Sequence, residues 1–257
     1  AFRGRRGDKE YVVVNGKPSP PYDEVGTVEF VGPHDELVYW AKWGNKWRLL
    51  LNRKYILATE ELGRPVKTFF SESGTFLGYT VSAGQSLGFL KIGHHAYGPI
   101  DNYWALLIRF SADGRHHLCV LRRGQEDFVA YDGREFGPFE EVAGIALSED
   151  GKRWAYAASK GGKFSLVVDG VEVGKYSYVY TPIFCPDGKR WACIAVRDGK
   201  HIVIVDGVEQ AEFDHASHLI FSADGKKMAY WAGCEGGRFV VVNNVQLTPV
   251  YEKVRPM

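Results

Sequence analysis

The chain has 257 residues, of which 45% are hydrophobic and 14% aromatic, so it can bury a sizeable core. Its 32 Lys and Arg residues nearly balance its 31 Asp and Glu residues, which argues against a dedicated nucleic-acid-binding protein. The sequence has no uninterrupted apolar run of about 18 residues, so we expect no membrane-spanning helix.

The start of the chain and the cysteines say little about the compartment. Residues 1–6 include three arginines and no apolar segment, so they are not an intact signal peptide. The cysteines are too few and too scattered for a disulfide framework, and we expect free thiols at Cys119, Cys185, Cys193 and Cys234. We therefore expect a soluble protein of either the periplasm or the cytoplasm.

One pattern recurs along the chain. A motif that ends in Asp-Gly occurs at Phe110–Gly114, Leu147–Gly151, Phe184–Gly188 and Phe221–Gly225, and its final glycines are 37 residues apart. A second motif has spacings of 37, 40, 40, 37, 37 and 37 residues and ends at Gly16, Arg53, Gly93, Gly133, Gly170, Gly207 and Asn244. Such a period indicates structural repeats. We place the units near residues 1–25, 26–63, 64–101, 102–142, 143–179, 180–216 and 217–257.

The first unit, residues 1–25, is shorter than the others. Its start, Ala1-Phe2, aligns with Ala155-Tyr156, which lies inside the second strand of a later unit. We therefore predict about three strands here, without the first strand of a full unit. We also expect the chain to be a module of a longer protein.

A later unit shows why four short strands are predicted. Thr181–Cys185 is apolar, and the Asp-Gly turn that follows it supplies local hydrogen bonds and a positive φ. Residues 191–195 are apolar at every position, as in a strand buried on both faces, and Ile202–Val205 is another apolar strand. Asp206-Gly207 is typical of a two-residue hairpin turn. The more polar segment Glu209–Asp214 is the predicted outer strand.

Four-stranded units of this kind predict a ring. A single unit cannot bury both of its faces, whereas copies stacked face to face and bent into a ring leave no exposed end. We therefore expect an all-β fold, a β-propeller of four-stranded antiparallel blades that forms one domain over residues 1–257. Seven blades with an incomplete first blade are the favoured count, and six blades are the alternative.

The motif itself resembles a known repeat. Phe-Ser-x-Asp-Gly-Lys, followed by Ala-Tyr and then by Val-Val-Val-Asp-Gly, looks like the bacterial WD40-like (PD40) repeats of TolB-type propellers. The resemblance is close over residues 104–244 and looser before them. It implies the propeller fold, which serves both as a protein-interaction platform and as an enzyme domain. No functional residue of that family is identifiable in this chain.

Cationic residues recur in the loops between second and third strands. They are Arg3, Arg5, Arg6 and Lys9; Lys42 and Lys46; Arg122 and Arg123; Lys160 and Lys163; Arg197 and Lys200; and Arg238. A propeller would place these loops on one rim, where they could attract an anionic ligand or an acidic protein. Acidic residues reach the same rim at Asp23-Glu24, Glu60-Glu61, Glu140-Glu141 and Asp214. We favour mutual neutralisation and keep Arg122 and Arg123 as candidate ligand-binding residues.

Histidines supply the other candidates, because an imidazole can bind metals and transfer protons near neutral pH. His215 and His218 lie close together in the sequence, but a zinc site needs three or four ligands at a recognisable spacing. We therefore expect no metal and no cofactor, and treat both as candidate ligand-binding residues. His94 and His95 are further candidates, because they lie where the repeat spacing lengthens to 40 residues.

Three tryptophans near one loop, Trp40, Trp43 and Trp47, allow two interpretations. They could form a surface on which a sugar or a peptide stacks. We favour core packing, because Trp40 lies in an alternating strand and the other two flank the turn at Gly44-Asn45.

The sequence favours a binding function over catalysis. It contains no nucleophile elbow, no phosphate-binding loop and no zinc-protease motif. We therefore expect a non-enzymatic binding platform whose partner is a protein or an anionic ligand. The alternative is a hydrolase or lyase domain with its site at the mouth of the central channel.

Overall fold

The computed structural model describes residues 1–59, 63–71, 75–82, 87–101, 107–234 and 237–251. These residues form β-strands and turns, and none of them is helical. The strands fall into two compact units, residues 1–106 with 121–124 and residues 107–120 with 125–257. The acidic pair Glu60-Glu61 lies outside the described residues.

The first unit contains three sets of antiparallel strands. Their bounds are β1 (Phe2–Arg6), β2 (Lys9–Val14) and β3 (Lys17–Pro18); β4 (Glu24–Val31), β5 (Glu36–Trp43), β6 (Lys46–Leu51) and β7 (Lys54–Ala58); and β8 (Pro65–Phe70), β9 (Phe76–Ser82), β10 (Leu87–Ile92) and β11 (His95–Asp101). Each set is paired in chain order, so β3 and β7 are edge strands. The first set therefore has the three strands predicted for residues 1–25.

The second unit contains the more regular repeats. Its strands are β12 (Ile108–Phe110), β13 (His117–Arg123), β14 (Glu126–Tyr131) and β15 (Arg134–Phe139); β16 (Glu141–Leu147), β17 (Trp154–Lys160), β18 (Lys163–Val168) and β19 (Val171–Tyr176); β20 (Tyr178–Val179), β21 (Ile183–Phe184), β22 (Trp191–Arg197), β23 (Lys200–Val205) and β24 (Val208–Phe213); and β25 (His215–Phe221), β26 (Met228–Cys234), β27 (Gly237–Val242) and β28 (Val245–Tyr251). Both β20 and β21 pair with β22, so the first strand of that set is in two pieces, and only β21 lies within the predicted strand Thr181–Cys185. Pro182 lies between the two pieces and has no N–H to donate.

The turn between third and fourth strands recurs with the same backbone. Asp206 has φ 50° and Gly207 has φ 85°, as a type I′ hairpin turn requires. The Asp206 side chain has a second task, because its Oδ1 accepts a hydrogen bond from the Trp191 N–H at 2.8 Å. One residue thus shapes the turn and holds the start of the second strand.

Within the second unit, neighbouring sets of strands pack face to face. Along β22, the side chains of Cys193 and Ala195 belong to one apolar cluster with residues of β17 and β18. Ala192 and Ile194 belong to another cluster, with residues of β26 and β27. Successive side chains of a strand point to opposite faces. A strand that lies between two cores is therefore apolar at every position, as the sequence predicted for residues 191–195.

Two comparable clusters lie among the described residues of the first unit. Tyr39 packs with Val12 and Tyr22 in one of them, and Trp40 packs with Trp47 in the other. Both tryptophans are buried, with exposed fractions of 1% and 3%, as favoured from the sequence. That interpretation fails for Trp43, which is 62% exposed.

The structure has all four cysteine thiols free, as predicted. Cys185 lies opposite Arg190, because its N–H donates to the Arg190 carbonyl at 2.9 Å, and Cys193 lies opposite Ile204 on β23. Among the described residues, no helix has the length and hydropathy needed to cross a membrane.

Candidate functional site

A cleft with a volume of about 470 Å³ lies in the first unit. We call it the aromatic cleft, and its lining residues are Pro20, Tyr22, Ala41, Trp43, Arg48, Leu50, Arg53 and Tyr55. They come from β5, β6, β7, the turn between β6 and β7, and the segment that follows β3. The cleft therefore joins side chains of two neighbouring repeats.

The floor of the aromatic cleft is firmly packed and its walls are open. Tyr22 and Ala41 are 5% and 1% exposed, and the Tyr22 hydroxyl lies 3.2 Å from that of Tyr39. Burial is the main cause that raises the pKa of the Tyr39 hydroxyl, and this hydrogen bond raises it further. Trp43 and Tyr55, by contrast, are each 62% exposed. A rigid floor between two exposed aromatic side chains can bind an apolar side chain of another molecule.

Two arginines give the aromatic cleft its charge. The Arg48 guanidinium lies 5.7 Å from the centre of the Trp43 ring, and its Nη1 donates to the Trp43 carbonyl at 2.7 Å. Arg53 Nη2 donates to the Lys17 carbonyl at 2.9 Å. Both guanidinium groups therefore bind main-chain oxygens of the described residues. Each guanidinium group has five N–H donors, so donors remain for a ligand.

The backbone at Arg53 departs from the repeat. Asn52 and Arg53 form the hairpin turn between β6 and β7, with φ 47° and φ 68°. The position of Arg53 is a glycine in four other repeats, with φ between 75° and 88°, namely Gly16, Gly133, Gly170 and Gly207. Gly93, which the spacing aligns with Arg53, is instead the first residue of its turn, because β10 ends at Ile92 and β11 begins at His95. A side chain in this left-handed region costs roughly 1–2 kcal/mol relative to its ordinary conformations, a cost that glycine avoids. Arg53 is thus kept at a position where glycine would be more stable.

A second cavity, of about 280 Å³, lies in the second unit. We call it the histidine cavity, and it is lined by Tyr180, Thr181, Ile183, Ile194, His215, Ala216, Ser217, His218 and Leu219. Thr181 and His218 occupy the same repeat position, seven residues before the glycines of the Asp-Gly turns. The cavity therefore forms where the first strands of two repeats meet.

His215 lies in a cluster of rings at this cavity. Its ring centre is 4.9 Å from that of His201, whose Nδ1 lies 3.1 Å from the Ala216 carbonyl. Burial lowers the pKa of His215, and the nearby His201, Arg238 and His218 lower it further. The lowered pKa favours the neutral imidazole, which can either donate or accept a hydrogen bond.

His218 is held in an unusual conformation. Its φ is 56°, at a register shift between Ser217 and Ile220 in β25. Its Nδ1 lies 3.0 Å from the Ser217 Oγ, and its ring centre lies 4.9 Å from that of Trp231. The bulge thus brings His218 to the cavity, while the imidazole packs against an aromatic ring at an interplanar angle of 35°.

The structure brings together only some of the predicted site residues. His215 and His218 line one cavity. His94, in the turn after β10, contacts His95 at the start of β11, with ring centres 3.9 Å apart. Arg122 lies opposite Asp101 in the pairing of β13 with β11. Arg122 and the adjacent Arg123 are half-buried, and neither lines either cavity.

The cationic loops have acidic neighbours, as mutual neutralisation predicts. Lys9 lies 2.6 Å from Asp23, and Lys200 pairs with Asp214. Other acids hold the backbone of the same loops, since Glu140 accepts hydrogen bonds from two turn N–H groups and Asp101 accepts one from Gly124 at 2.6 Å. Among the described residues, no three His, Cys, Asp or Glu side chains are grouped closely enough to hold a metal ion.

Sequence reasoning missed most of the aromatic cleft. Arg48, Tyr55 and Tyr22 carry no local signal, because they are ordinary strand or loop residues until neighbouring repeats bring them together. Arg53 does carry one, since it replaces the glycine of a repeated turn. For Trp43 the sequence allows stacking on a sugar or a peptide, but it favours core packing, which is wrong for this residue.

Comparison with known proteins supports the fold and goes no further. No family model and no curated protein matches the chain. Among 520 matching chains of solved structures, one described as the crystal structure of the eukaryotic initiation factor aligns with 98% of this chain and 74% of its own length. The TM-score is 0.52 and the sequence identity is 9%. A likeness at this identity concerns the all-β architecture alone, because one fold serves many functions.

Proposed function

We propose that this protein is a non-enzymatic binding platform whose strands form a propeller of seven blades, the first incomplete, of the WD40-like TolB type. The described residues form six hydrogen-bonded sheets, one of which has eight strands, enough for two blades. Together with the three-stranded first sheet, this supports a count of seven. The recurring Asp-Gly turns support a common blade design. A crystal structure with six blades in a closed ring and residues 1–25 outside it would overturn the count.

The aromatic cleft is the proposed binding site, and its partner is a protein. The observation that carries this proposal is the exposure of Trp43 and Tyr55, at 62% each, on either side of a buried floor. Tryptophan, tyrosine and arginine are the residues that most often dominate the free energy of protein–protein binding. The aromatic cleft contains all three types. Its volume also falls within the usual range for binding pockets, about 300–1,000 Å³.

Selection from a peptide library tests this proposal. A displayed library of random dodecapeptides is selected on the full chain and counter-selected on Trp43→Ala and Tyr55→Ala variants. We expect peptides that bind the native chain and lose at least tenfold in affinity for either variant, because the aromatic anchors are gone. Phe2→Ala is the matched control, since Phe2 is an aromatic residue with a 61% exposed side chain outside the cleft.

Two results would contradict the protein-binding proposal. The first is a library that yields no binding peptide for the full chain. The second is a set of peptides whose affinity is the same for the native chain, Trp43→Ala and Tyr55→Ala. Thermal unfolding of each variant shows whether it is folded, so that a loss of affinity is assigned to the cleft.

The alternative, a hydrolase or lyase with its site at the channel mouth, has one observation in its favour. Ser217 Oγ lies 3.0 Å from His218 Nδ1 at the histidine cavity, and a histidine can activate a serine as a nucleophile. A fluorophosphonate probe tests it by labelling activated serines. Labelling that Ser217→Ala abolishes would favour the enzyme, and an unlabelled native chain would count against a serine nucleophile there.

A further inference from the structure

We infer that the segment bound in the aromatic cleft is an extended acidic peptide, with an Asp or Glu next to a large apolar side chain. This inference rests on the proposed function of the cleft. It specifies the chemistry of the partner from the charge, the backbone and the edge strand at that site.

The charge of the aromatic cleft is one-sided. Its lining includes two arginines and no carboxylate. Within the part of the chain that the structure describes, neither Arg48 nor Arg53 has a carboxylate partner. Three arginines outside the cleft do have acid partners: Arg153 with Asp169, Arg190 with Asp206 and Arg197 with Glu209.

That contrast points to a carboxylate from outside the chain. A guanidinium group binds a carboxylate through two parallel hydrogen bonds, which adds directional specificity to the charge. Arg48 stacks on the Trp43 ring, so a carboxylate bound there would lie beside an aromatic wall. The acidic and the apolar parts of the ligand must therefore be close together, as they are in neighbouring residues of one peptide.

The backbone supports a ligand role for Arg53 independently. A residue kept in a strained conformation, where most repeats have glycine, suggests a function that offsets its cost in stability. The Arg53 side chain extends from this turn to line the aromatic cleft. Glycine would relieve the strain but would remove the guanidinium group. Selection for stability alone therefore does not account for Arg53.

The edge strand β7 explains why an extended peptide fits. In its sheet β7 pairs with β6 on one side only, and its Tyr55 and Ile56 are 62% and 41% exposed. An edge strand offers unpaired main-chain N–H and C=O groups, which commonly bind an extended peptide as an added strand. A small anion or a nucleotide would not use this edge. The edge thus favours a peptide over other sources of negative charge.

Paired peptides test the inference by fluorescence polarisation. Peptides recovered from the dodecapeptide selection are labelled with fluorescein and remade with Gln for Glu and Asn for Asp. We expect acidic residues to be enriched among them, and the uncharged versions to bind the native chain about tenfold more weakly. Arg48→Gln and Arg53→Gly should each weaken the acidic peptide about tenfold and leave the uncharged one nearly unchanged.

Arg53→Gly has a second readout. Because glycine relieves the positive φ, its thermal midpoint should rise by about 2–4 °C while its affinity for the acidic peptide falls. Asn244→Gly is the matched control, since Asn244 occupies the same turn position at φ 62° in the last repeat. It should leave peptide affinity unchanged. A destabilised Arg53→Gly variant would remove the argument from backbone strain.

The outcomes separate the inference from the proposed function. Neutral peptides that bind at the cleft, and lose affinity in Trp43→Ala, would overturn the acidic partner and leave the binding function standing. Displacement of the acidic peptide by a single-stranded oligonucleotide or by millimolar inorganic phosphate would also overturn it, since the site would then select charge alone. Failure to recover any peptide would count against the proposed function itself.

Discussion

Nε and Nη2 of Arg153 both lie 2.9 Å from Oδ2 of Asp169, so that one carboxylate oxygen contacts two nitrogens on the same edge of the guanidinium group. The other oxygen accepts the Trp154 N–H at 2.9 Å. The same arrangement recurs one repeat later, where Arg190 Nε lies 3.0 Å from Oδ2 of Asp206. In both of these repeats, a carboxylate in the turn after the third strand therefore holds the start of the second.

Asp169→Ala should lower the free energy of unfolding by about 1–3 kcal/mol. The change leaves the Trp154 N–H without its acceptor, and an unsatisfied, partly buried donor costs about that much. Urea denaturation monitored by circular dichroism measures the difference. Lys152→Ala is the control, because the Lys152 side chain is 78% exposed. An Asp169→Ala variant as stable as that control would contradict the anchoring role.

Arg153 should matter to the neighbouring repeat as well as to its own. Its Nη1 donates to the Lys189 carbonyl at 2.9 Å, and its guanidinium carbon lies 5.4 Å from the centre of the Phe184 ring. We expect Arg153→Lys to be destabilised by about 1 kcal/mol. Lysine keeps the positive charge but lacks the planar guanidinium group, which packs on the Phe184 ring and donates several hydrogen bonds at once. Urea denaturation of Arg153→Lys and of the native chain measures the difference in the free energy of unfolding. A variant as stable as the native chain would show that the positive charge, and not the planar guanidinium group, accounts for the contribution of Arg153.

Acid should destabilise the fold through the Ser-x-Asp-Gly turns and the equivalent Cys185 turn. A hydrogen bond from the Cys185 thiol, and others from the Lys189 backbone and side chain, lower the pKa of Asp187 from 3.8 to about 2. The pKa values of Asp113, Asp150 and Asp224 are lowered by equivalent hydrogen bonds.

Because these folded-state pKa values lie below the unfolded ones, their contribution to stability is complete above about pH 4 and declines as the pH falls towards 2. The thermal midpoint should fall over this range. A variant with Asn at positions 150, 187 and 224 should show a shallower fall, measured by thermal denaturation at several pH values. Equal slopes for the two proteins would show that other groups cause the acid sensitivity.

One thiol should react in the native protein and four in the unfolded one. Cys234 is exposed, whereas Cys119 and Cys193 have no exposed surface and Cys185 has 2%. Burial also raises the pKa of the Cys119 and Cys193 thiols, which lowers their thiolate fraction. Titration with a disulfide reagent, before and after guanidinium is added, counts both sets. Two or more fast thiols in the native state would contradict this packing.

His215 should titrate below the ordinary pKa of about 6.5 for histidine. Burial is the main cause, and the charges on His201, Arg238 and His218 add to it. NMR titration of the ring protons measures the value directly. In His201→Gln the pKa of His215 should move upward, because one cationic neighbour is lost. No movement would mean that the two rings, 4.9 Å apart in the structure, do not interact electrostatically.

The repeat, the strands and the turns follow from the order of the amino acids. Asp-Gly at the hairpins requires φ values that glycine adopts most easily, and a strand that is apolar at every position must lie between two cores. These properties depend on neighbouring residues in the sequence. The structure of Asp206-Gly207 and of residues 191–195 can therefore be predicted from the local sequence. The free thiols followed in the same way from the spacing of the cysteines.

The places where a ligand could bind depend on how the repeats pack against each other. Tyr22 and Tyr55 are 33 residues apart and line one cleft, and Thr181 meets His218 at one cavity, because neighbouring repeats bring their edges together. Trp43 and Trp40 are both tryptophans of β5, yet Trp43 is 62% exposed and Trp40 is 1% exposed. Alternation predicts that successive residues face opposite sides of a sheet, but which side remains open depends on what packs against it.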